Sequence, residues 1–530
     1  MSGDAQTPAA APVLAPAPVP TPLVGTELVV ATIAIALATF MEVLDMTIVN
    51  VSVPAIAGSL GVSPTEGTWT ITTYSLAAAI MQPLTGFLGR RFGEVRTFVV
   101  STLLFVAFSA LCGLATSMPM LVVCRLMQGA VSGAMAPMAQ ALLMRCYRPE
   151  KRGMALGIWG MVVFMAPIFG PILGGWITDN LSWPWLFYIN VPVGLMATAA
   201  TWSVLRRQET VRSNVKVDIT GMLLLFAGVG ALQFMLDNGN EKDWFSSGLI
   251  VTVAVIAVVC LTLLIAWELT SKNPLIDLHL FAIRNFSMGL GTMCLGFIAF
   301  MGATILFPLF LQTAANYTAT WAGLATSPVG IIALLLMPLV GATLHRLNMR
   351  IVATIGLATL AFCMYWYGTL NATASFAKLA TPRLMQGIGL ACFFMPLQQI
   401  MFSRIDPTHM ASAAGLASFL RNTAGSMGTA ISIWLWNART DFHHVMLAQH
   451  IAAGANWDNW SGQLGALPGA ASPGGGTAAL RYTEGIVQQQ ALTLATSDLY
   501  QLYSILLLSC IGLLWLSRPP FRSIGAAASH

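Results

Sequence analysis

The sequence predicts an all-α integral membrane protein with fourteen transmembrane helices, two pseudo-repeated six-helix halves around an added pair. Three observations carry that prediction. Of 530 residues, 56% are hydrophobic and only 8% charged, whereas a soluble domain carries about 25% charge. The apolar residues gather into runs of about twenty, long enough to cross about 30 Å of hydrocarbon as helices. The positive residues fall mostly in alternate gaps between those runs, as the positive-inside rule requires. A closed barrel is the other backbone solution for a membrane. It needs runs of about ten residues with strict alternation, and the runs here carry no period of two.

The elements follow in order. Residues 1–26 are an Ala/Pro-rich tail (PAAAPVLAPAPVPTP) without Lys or Arg, read as a disordered cytoplasmic extension and not as a cleavable signal. An N-terminal six-helix bundle over 27–206 has apolar runs at 28–56, 66–87, 97–115, 119–143, 153–177 and 184–205. Residues 207–285 supply two additional helices with flanking loops, at 219–236 and 248–269. A C-terminal six-helix bundle over 286–517 has runs at 287–312, 320–342, 350–370, 379–402, 411–436 and 499–517. Between the last two runs, 437–498 is rich in Gly, Ala, Gln, Asn and Trp, with GALPGAASPGGG in its middle. It is too polar for a span and predicts a periplasmic excursion, helical at its ends. Residues 518–530 form the second cytoplasmic tail.

With the amino terminus in the cytoplasm, the inside segments hold eighteen of the Lys and Arg residues. The outside segments hold four, Lys242, Lys378, Arg439 and Arg481. One miscounted early span would erase this bias, so it tests the count as well as the orientation. Both termini are expected in the cytoplasm, in the inner membrane of a bacterium.

The pentapeptide RLMQG occurs at Arg125–Gly129 and again at Arg383–Gly387, an offset of 258 residues. A glycine–basic loop recurs at nearly the same offset, GFLGRRFGEVR from Gly86 and GATLHRLNMR from Gly341. Repeated halves are the build of many secondary transporters, with the substrate site between them near mid-membrane.

Charges inside spans are costly and ask for a reason. Glu42 and Asp45 lie three apart on one face of the first span, TFMEVLDMTIVNVSVP. Two carboxylates in a low-dielectric site can carry a proton; the alternative is a structural ion pair or a water-filled pocket. Asn50 and Pro54 continue the span, and the proline can bend it. Arg125 opens the fourth span, followed by Gln128. Its fork fits a carboxylate, and Asp45 is the expected partner if the two spans pack together; otherwise Arg125 snorkels to the surface. Arg383 is its repeat-related twin, with no acid in the ninth span. Arg421, in SFLRNTAGSMG, contacts a substrate or pins helices.

The fifth span contains APIFGPILGG. Pro167 and Pro171 interrupt hydrogen bonding, while Gly170 and Gly174 form a small-xxx-small pair, so a bending or sliding helix is expected. Gly86, Gly89 and Gly93, with Arg90 and Arg91, predict a tight cytoplasmic gate loop. No phosphate loop of the GxxxxGK[ST] type occurs. The eight cysteines lack metal spacing, and no metal or organic cofactor is expected; the proton is the expected coupling ion if Asp45 and Glu42 serve transport. His443 and His444 read as solvated. The net charge of +5 gives no reason to invoke nucleic acid.

These residues resemble a known family. GFLGRRFG resembles the loop signature of the major facilitator superfamily, RLMQGAVSG its fourth-span arginine signature, and APIFGPILGG its antiporter signature. LDMTIVNVSVP is similar to the first-span signature of the fourteen-span drug:proton antiporters. SWPWLFYINVPVG, NGNEKDWFSS, YTATWAGLATSPVGII and ACFFMPLQQI are similar to the EmrB-type branch, over roughly 25–520. Arg90 stands where the general loop signature has an acid, which argues against an acid-based latch.

The resemblance implies proton-driven export of hydrophobic or amphipathic toxic compounds across the lipid bilayer. It also implies a periplasmic membrane-fusion adaptor and an outer-membrane channel as partners. By matched position it implies Asp45 as protonation site, Arg125 as its neighbour, Gly170 and Pro171 as hinge, and 437–498 as a candidate adaptor contact. Few intramembrane charges and many Met, Phe and Trp residues suit varied apolar cargo. The alternatives are a same-fold carrier of one metabolite, such as a siderophore, organic anion or fatty acid, and a non-transporting scaffold or sensor.

Overall fold

The computed structural model describes residues 22–210, 212, 217–271, 274–344, 346–372, 374–452 and 475–521. Every regular element among them is helical. The N-terminal half comprises α1 (Gly25–Ile48), α2 (Trp69–Met81), α3 (Thr85–Phe92), α4 (Glu94–Gly113), α5 (Met118–Ser132), α6 (Met135–Cys146), α7 (Arg152–Asn180) and α8 (Asn190–Leu205). The added pair is α9 (Ile219–Asn238) and α10 (Gly248–Thr270). The C-terminal half comprises α11 (Arg284–Thr313), α12 (Pro328–Thr343), α13 (Met349–Tyr367), α14 (Phe376–Phe402), α15 (Met410–Ala452) and α16 (Gly475–Trp515).

Twelve helices among the described residues are long and apolar enough to cross a membrane. The two other predicted spans are also helical. One is α2 and α3, joined through a 3₁₀ turn at Gln82–Leu84 where Pro83 offers no N–H. The other is the start of α15. Fourteen helical segments therefore coincide with the fourteen apolar runs.

Several expectations change. Pro54 does not bend the first span. The helix lapses into a 3₁₀ turn at Val49–Val51, and Pro54 sits in the first turn of a new helix, Val53–Leu60, where a missing N–H costs nothing. The polar excursion is more helical than expected. α15 runs 43 residues and α16 runs 41, each about 60 Å at 1.5 Å per residue and about twice the hydrocarbon thickness. Residues 475–498 thus belong to the last helix, while 453–474 lie outside the described residues. His443 and His444 are not free: His443 Nε2 lies 2.7 Å from Asp498 and His444 Nε2 lies 2.8 Å from Glu484. With Arg439, also on Asp498 at 2.5 Å, they tie α15 to α16.

The internal repeat is visible in packing. In the first half, α1 packs on α7 and α8, α5 on α2 and α4, and α4 on α8. In the second, α11 packs on α15 and α16, α14 on α12 and α13, and α13 on α16. The same five pairings recur. The halves meet where α7 crosses α12 and where α15 crosses α3 and α6. The added pair packs internally, and α9 lies against both α2 and α15. Gln233 Nε2 donates to Ser426 Oγ at 3.3 Å and Asn240 Nδ2 to the Ala430 carbonyl at 3.1 Å. α9 therefore touches both halves along one seam.

The basic loops share one end of the molecule. Arg145 pairs with Glu94 and donates to the Gln208 carbonyl at 3.1 Å. Leu23 N donates to the Cys146 carbonyl at 3.0 Å, and Asn285 donates to the Arg518 carbonyl at 2.9 Å. Both described ends of the chain are held there. Gly93 makes the turn that the loop needs, with φ +92°. Gly86 and Gly89 do not turn; they lie within α3 and provide close packing. Glu209 caps the next helix, accepting from Val95 N at 3.1 Å and Arg96 N at 2.9 Å. A Cβ on Gly93 would sit 2.5 Å from that carboxylate. Gly93→Ala therefore forces both a strained backbone and a displaced cap. We expect a cost of about 1–3 kcal/mol, read as a lower thermal midpoint of the purified protein; an unchanged midpoint refutes it.

Candidate functional site

The polar centre of the N-terminal half is built on Asp45, in the last turn of α1. α5 starts after Ser117, with Pro119 in its first turn, and carries Arg125 at its midpoint, where the side chain is fully buried. Arg125 Nη1 lies 2.5 Å from Asp45 Oδ2, and both side chains are 0% exposed. Asp45 Oδ1 accepts from Asn190 Nδ2 at 2.6 Å and from Gln128 Nε2 at 3.2 Å. Gln128 sits one turn after Arg125 and accepts from it at 2.8 Å. Arg125 Nε donates to the Thr70 carbonyl at 3.1 Å, and its fork lies over the Tyr74 ring at 4.3 Å and near Phe187 at 5.5 Å. Asn190 also donates to Ser109 at 3.0 Å.

This network joins α1, α2, α4, α5 and α8. An isolated charge buried this deeply is costly, so the carboxylate and the guanidinium depend on each other and on their hydrogen-bond partners. Two polar atoms here lack a hydrogen-bond partner among the described residues, Arg125 Nη2 and Glu42 Oε2. Glu42 lies on the same helix face as Asp45 and is buried.

Asn190, Thr70, Tyr74 and Ser109 are not among the residues that the sequence singles out. Asn190 carries a signal, a polar residue inside an apolar run. Asn50 and Pro54, by contrast, are exposed and no described polar contact joins them to Asp45. Gly170 and Gly174 face α1, not the other half. A Cβ on them would lie 2.2 Å from Thr47 Oγ1 and 2.5 Å from the Ile48 carbonyl. α7 stays helical through Pro171; the side chain of Pro167 lies outside the described residues.

Arg383 has no carboxylate partner among the described residues. It donates to Gln386 at 2.9 Å and lies over Phe307 at 4.0 Å and Tyr367 at 5.3 Å. Arg421 is at the meeting of the halves, near Trp159, Phe297 and Phe394. At the basic end Arg90 Nη1 donates to Ser412 Oγ at 2.8 Å, linking the first half to the second. Arg91 lies 5.8 Å from the Phe92 ring. His409 pairs with Asp277 at 2.8 Å; that hydrogen bond raises the imidazole above its ordinary range and lowers the carboxyl. No metal-binding group of His, Cys, Asp and Glu occurs among the described residues.

The Major Facilitator Superfamily model matches residues 35–429. The chain is 44% identical to the multidrug export protein EmrB of Haemophilus influenzae over 94% of this chain and 98% of that one. It is 43% identical to EmrB of Escherichia coli K12 over 95% and 98%, and 42% identical to the fatty acid resistance protein FarB of Neisseria gonorrhoeae over 95% and 99%. Among solved structures, the human organic anion transporter MFSD10 aligns with a TM-score of 0.57 at 14% identity, covering 91% of this chain and all of that one. The proton:xylose symporter XylE also aligns at 0.57 and 14%, covering 94% and 98%. These two share the fold.

Proposed function

Because the chain belongs to the major facilitator superfamily, in its EmrB-type branch, we propose that it exports hydrophobic or amphipathic toxic compounds in exchange for protons. It is a multi-pass membrane transporter, not an enzyme. The observation that carries the mechanism is the fully buried Asp45–Arg125 pair. Protonating Asp45 cancels one charge and leaves Arg125 uncompensated, which costs about 3–5 kcal/mol in a buried site. That penalty falls on one conformation and drives the halves toward another. Releasing the proton restores the pair. The coupling is thus a difference in pairing between two states, as exchange requires. Glu42 is a second carboxylate along the same path.

The basic end is the cytoplasmic one by the positive-inside rule, with both termini there and the membrane the bacterial inner one. α15 and α16 then extend into the periplasm beyond the bilayer. This paired ridge is the surface for a membrane-fusion adaptor leading to an outer-membrane channel. Cargo enters between the halves, where Trp159 stacks on Phe394 and Phe164 meets Phe300 and Phe394 edge to face.

The test is transport by the purified chain in proteoliposomes under an imposed pH gradient, with a panel of lipophilic compounds. Compound movement coupled to opposite proton movement is expected. A complete lack of compound-driven proton flux overturns the antiport reading.

A further inference from the structure

We propose that Arg421 is the docking point for the negative charge of a lipophilic acid, inside an aromatic box of Trp159, Phe297 and Phe394. The proposal rests on the export reading and gives that site a substrate class. Arg421 is the twelfth residue of α15. At 1.5 Å per residue it stands about 17 Å from the basic end of that helix, near the middle of a bilayer.

Arg421 is only 8% exposed, yet its guanidinium forms no hydrogen bond or ion pair with the described residues. The chain's two other intramembrane arginines each hold a polar side-chain partner. Arg125 has Asp45, Gln128 and the Thr70 carbonyl; Arg383 has Gln386 through Nη1, with Nε and Nη2 left without a partner among the described residues. Arg421 has ring faces instead, at 5.7 Å for Trp159, 5.7 Å for Phe297 and 6.0 Å for Phe394. These attract a cation but satisfy none of its five N–H donors. A planar fork of donors with no acceptor matches a carboxylate, and a carboxylate on a ligand would complete it.

The box also sits where cargo must pass. Trp159 belongs to the first half and Phe297, Phe394 and Arg421 to the second. Trp159 stacks on Phe394 at 6.2 Å with the rings 10° apart. One turn nearer the basic end, Gln140 Nε2 donates to Gln398 Oε1 across the halves at 2.5 Å. This contact floors the site on the basic side. A ligand held here touches both halves and feels their relative motion. The fork selects the anionic group, and the rings take any apolar body. Lipophilic cations are repelled, and a neutral carbonyl accepts one weaker hydrogen bond without the charge pairing or the second contact that a carboxylate makes.

The test is equilibrium dialysis of the full chain in nanodiscs of neutral lipid with three matched probes: 2-naphthoate, neutral 2-acetonaphthone and cationic 2-(aminomethyl)naphthalene. The wild-type chain should bind naphthoate at least tenfold more tightly than either other probe. Arg421→Gln should erase that preference by weakening naphthoate at least tenfold more than acetonaphthone, and Arg421→Lys should restore part of it. Equal affinities for all three probes in the wild-type chain overturn the proposal without any variant. So does Arg421→Gln retaining the naphthoate preference. Naphthoate preference in a chain that moves no compound in proteoliposomes overturns the export reading and supports the site. Export of neutral compounds with no naphthoate preference does the reverse.

Discussion

Asp45→Asn abolishes export driven by a pH gradient and leaves the protein folded in the membrane. The substitution keeps shape and one oxygen. The introduced amide can still accept from Asn190, which lies 2.6 Å from Asp45 Oδ1, and Arg125 retains Gln128 and the Thr70 carbonyl. What is lost is the charge opposite a guanidinium that is 0% exposed. An unpaired buried charge costs about 3–5 kcal/mol, a shift of roughly two to four orders of magnitude in a conformational equilibrium. The variant therefore behaves as if permanently protonated: it populates one side of the cycle and no longer responds to pH. In proteoliposomes, gradient-driven export should fall to background, while lipophilic compounds still bind and still exchange down their own gradients. Uphill export by Asp45→Asn at the wild-type rate would remove Asp45 from the coupling role. Asn190→Ala tests the same network more gently. It leaves the ion pair and removes one donor, so it should slow export without uncoupling it.

How much of this site is legible in the sequence follows from the physics of each residue. Asp45 and Arg125 stand out because charge in an apolar run is expensive whatever surrounds it. The repeat stands out because RLMQG recurs at the same place in each half. Asn190, Tyr74, Thr70 and Ser109 do not, because their role depends on which helices touch, and Thr70 acts through its carbonyl. Arg421 admits two readings in the sequence for the same reason. Its aromatic neighbours come from three other helices, α7, α11 and α14, and lie from 27 to 262 residues away in sequence. The long helices α15 and α16 are hidden by polarity. A helix beyond the bilayer needs no apolar run, and the QQQALTLAT stretch before the last span is made largely of good helix formers. The paired His443 and Asp498 are 55 residues apart, so local pattern offers no hint of the bond. The gate loop is only partly legible: three glycines suggest a turn, and only Gly93 has positive φ.

Bulk at Gly153 should stop transport by preventing closure of the basic end. α7 and α12 meet backbone to backbone there. A Cβ on Gly153 would lie 2.4 Å from the Gly341 carbonyl oxygen and 2.6 Å from Gln399 Nε2, and a Cβ on Gly341 would lie 2.4 Å from the Gly153 carbonyl oxygen. Gln399 can swing aside, but a helix carbonyl cannot. The two helices must separate by about an ångström or more to reach ordinary contact distance, and packed helices transmit that shift along their length. The closed arrangement, in which Arg90 reaches Ser412 at 2.8 Å, is then disfavoured relative to one open at this end. Gly153→Ala should lower export about tenfold and Gly153→Leu should abolish it, since each step that requires closure is penalised. Gly175→Ala is the matched control on the same helix, because nothing lies within 4 Å of a Cβ there. Closure is read by cross-linking Arg90→Cys to Ser412→Cys with a short bifunctional thiol reagent that spans the length of the lost arginine side chain, with the eight native cysteines replaced by serine. Cross-linking should drop in the Gly153 variants and persist with Gly175→Ala. Full cross-linking together with lost export would show that Gly153 acts elsewhere. Full export by Gly153→Leu would show that α7 and α12 need not meet this closely at any point in the cycle.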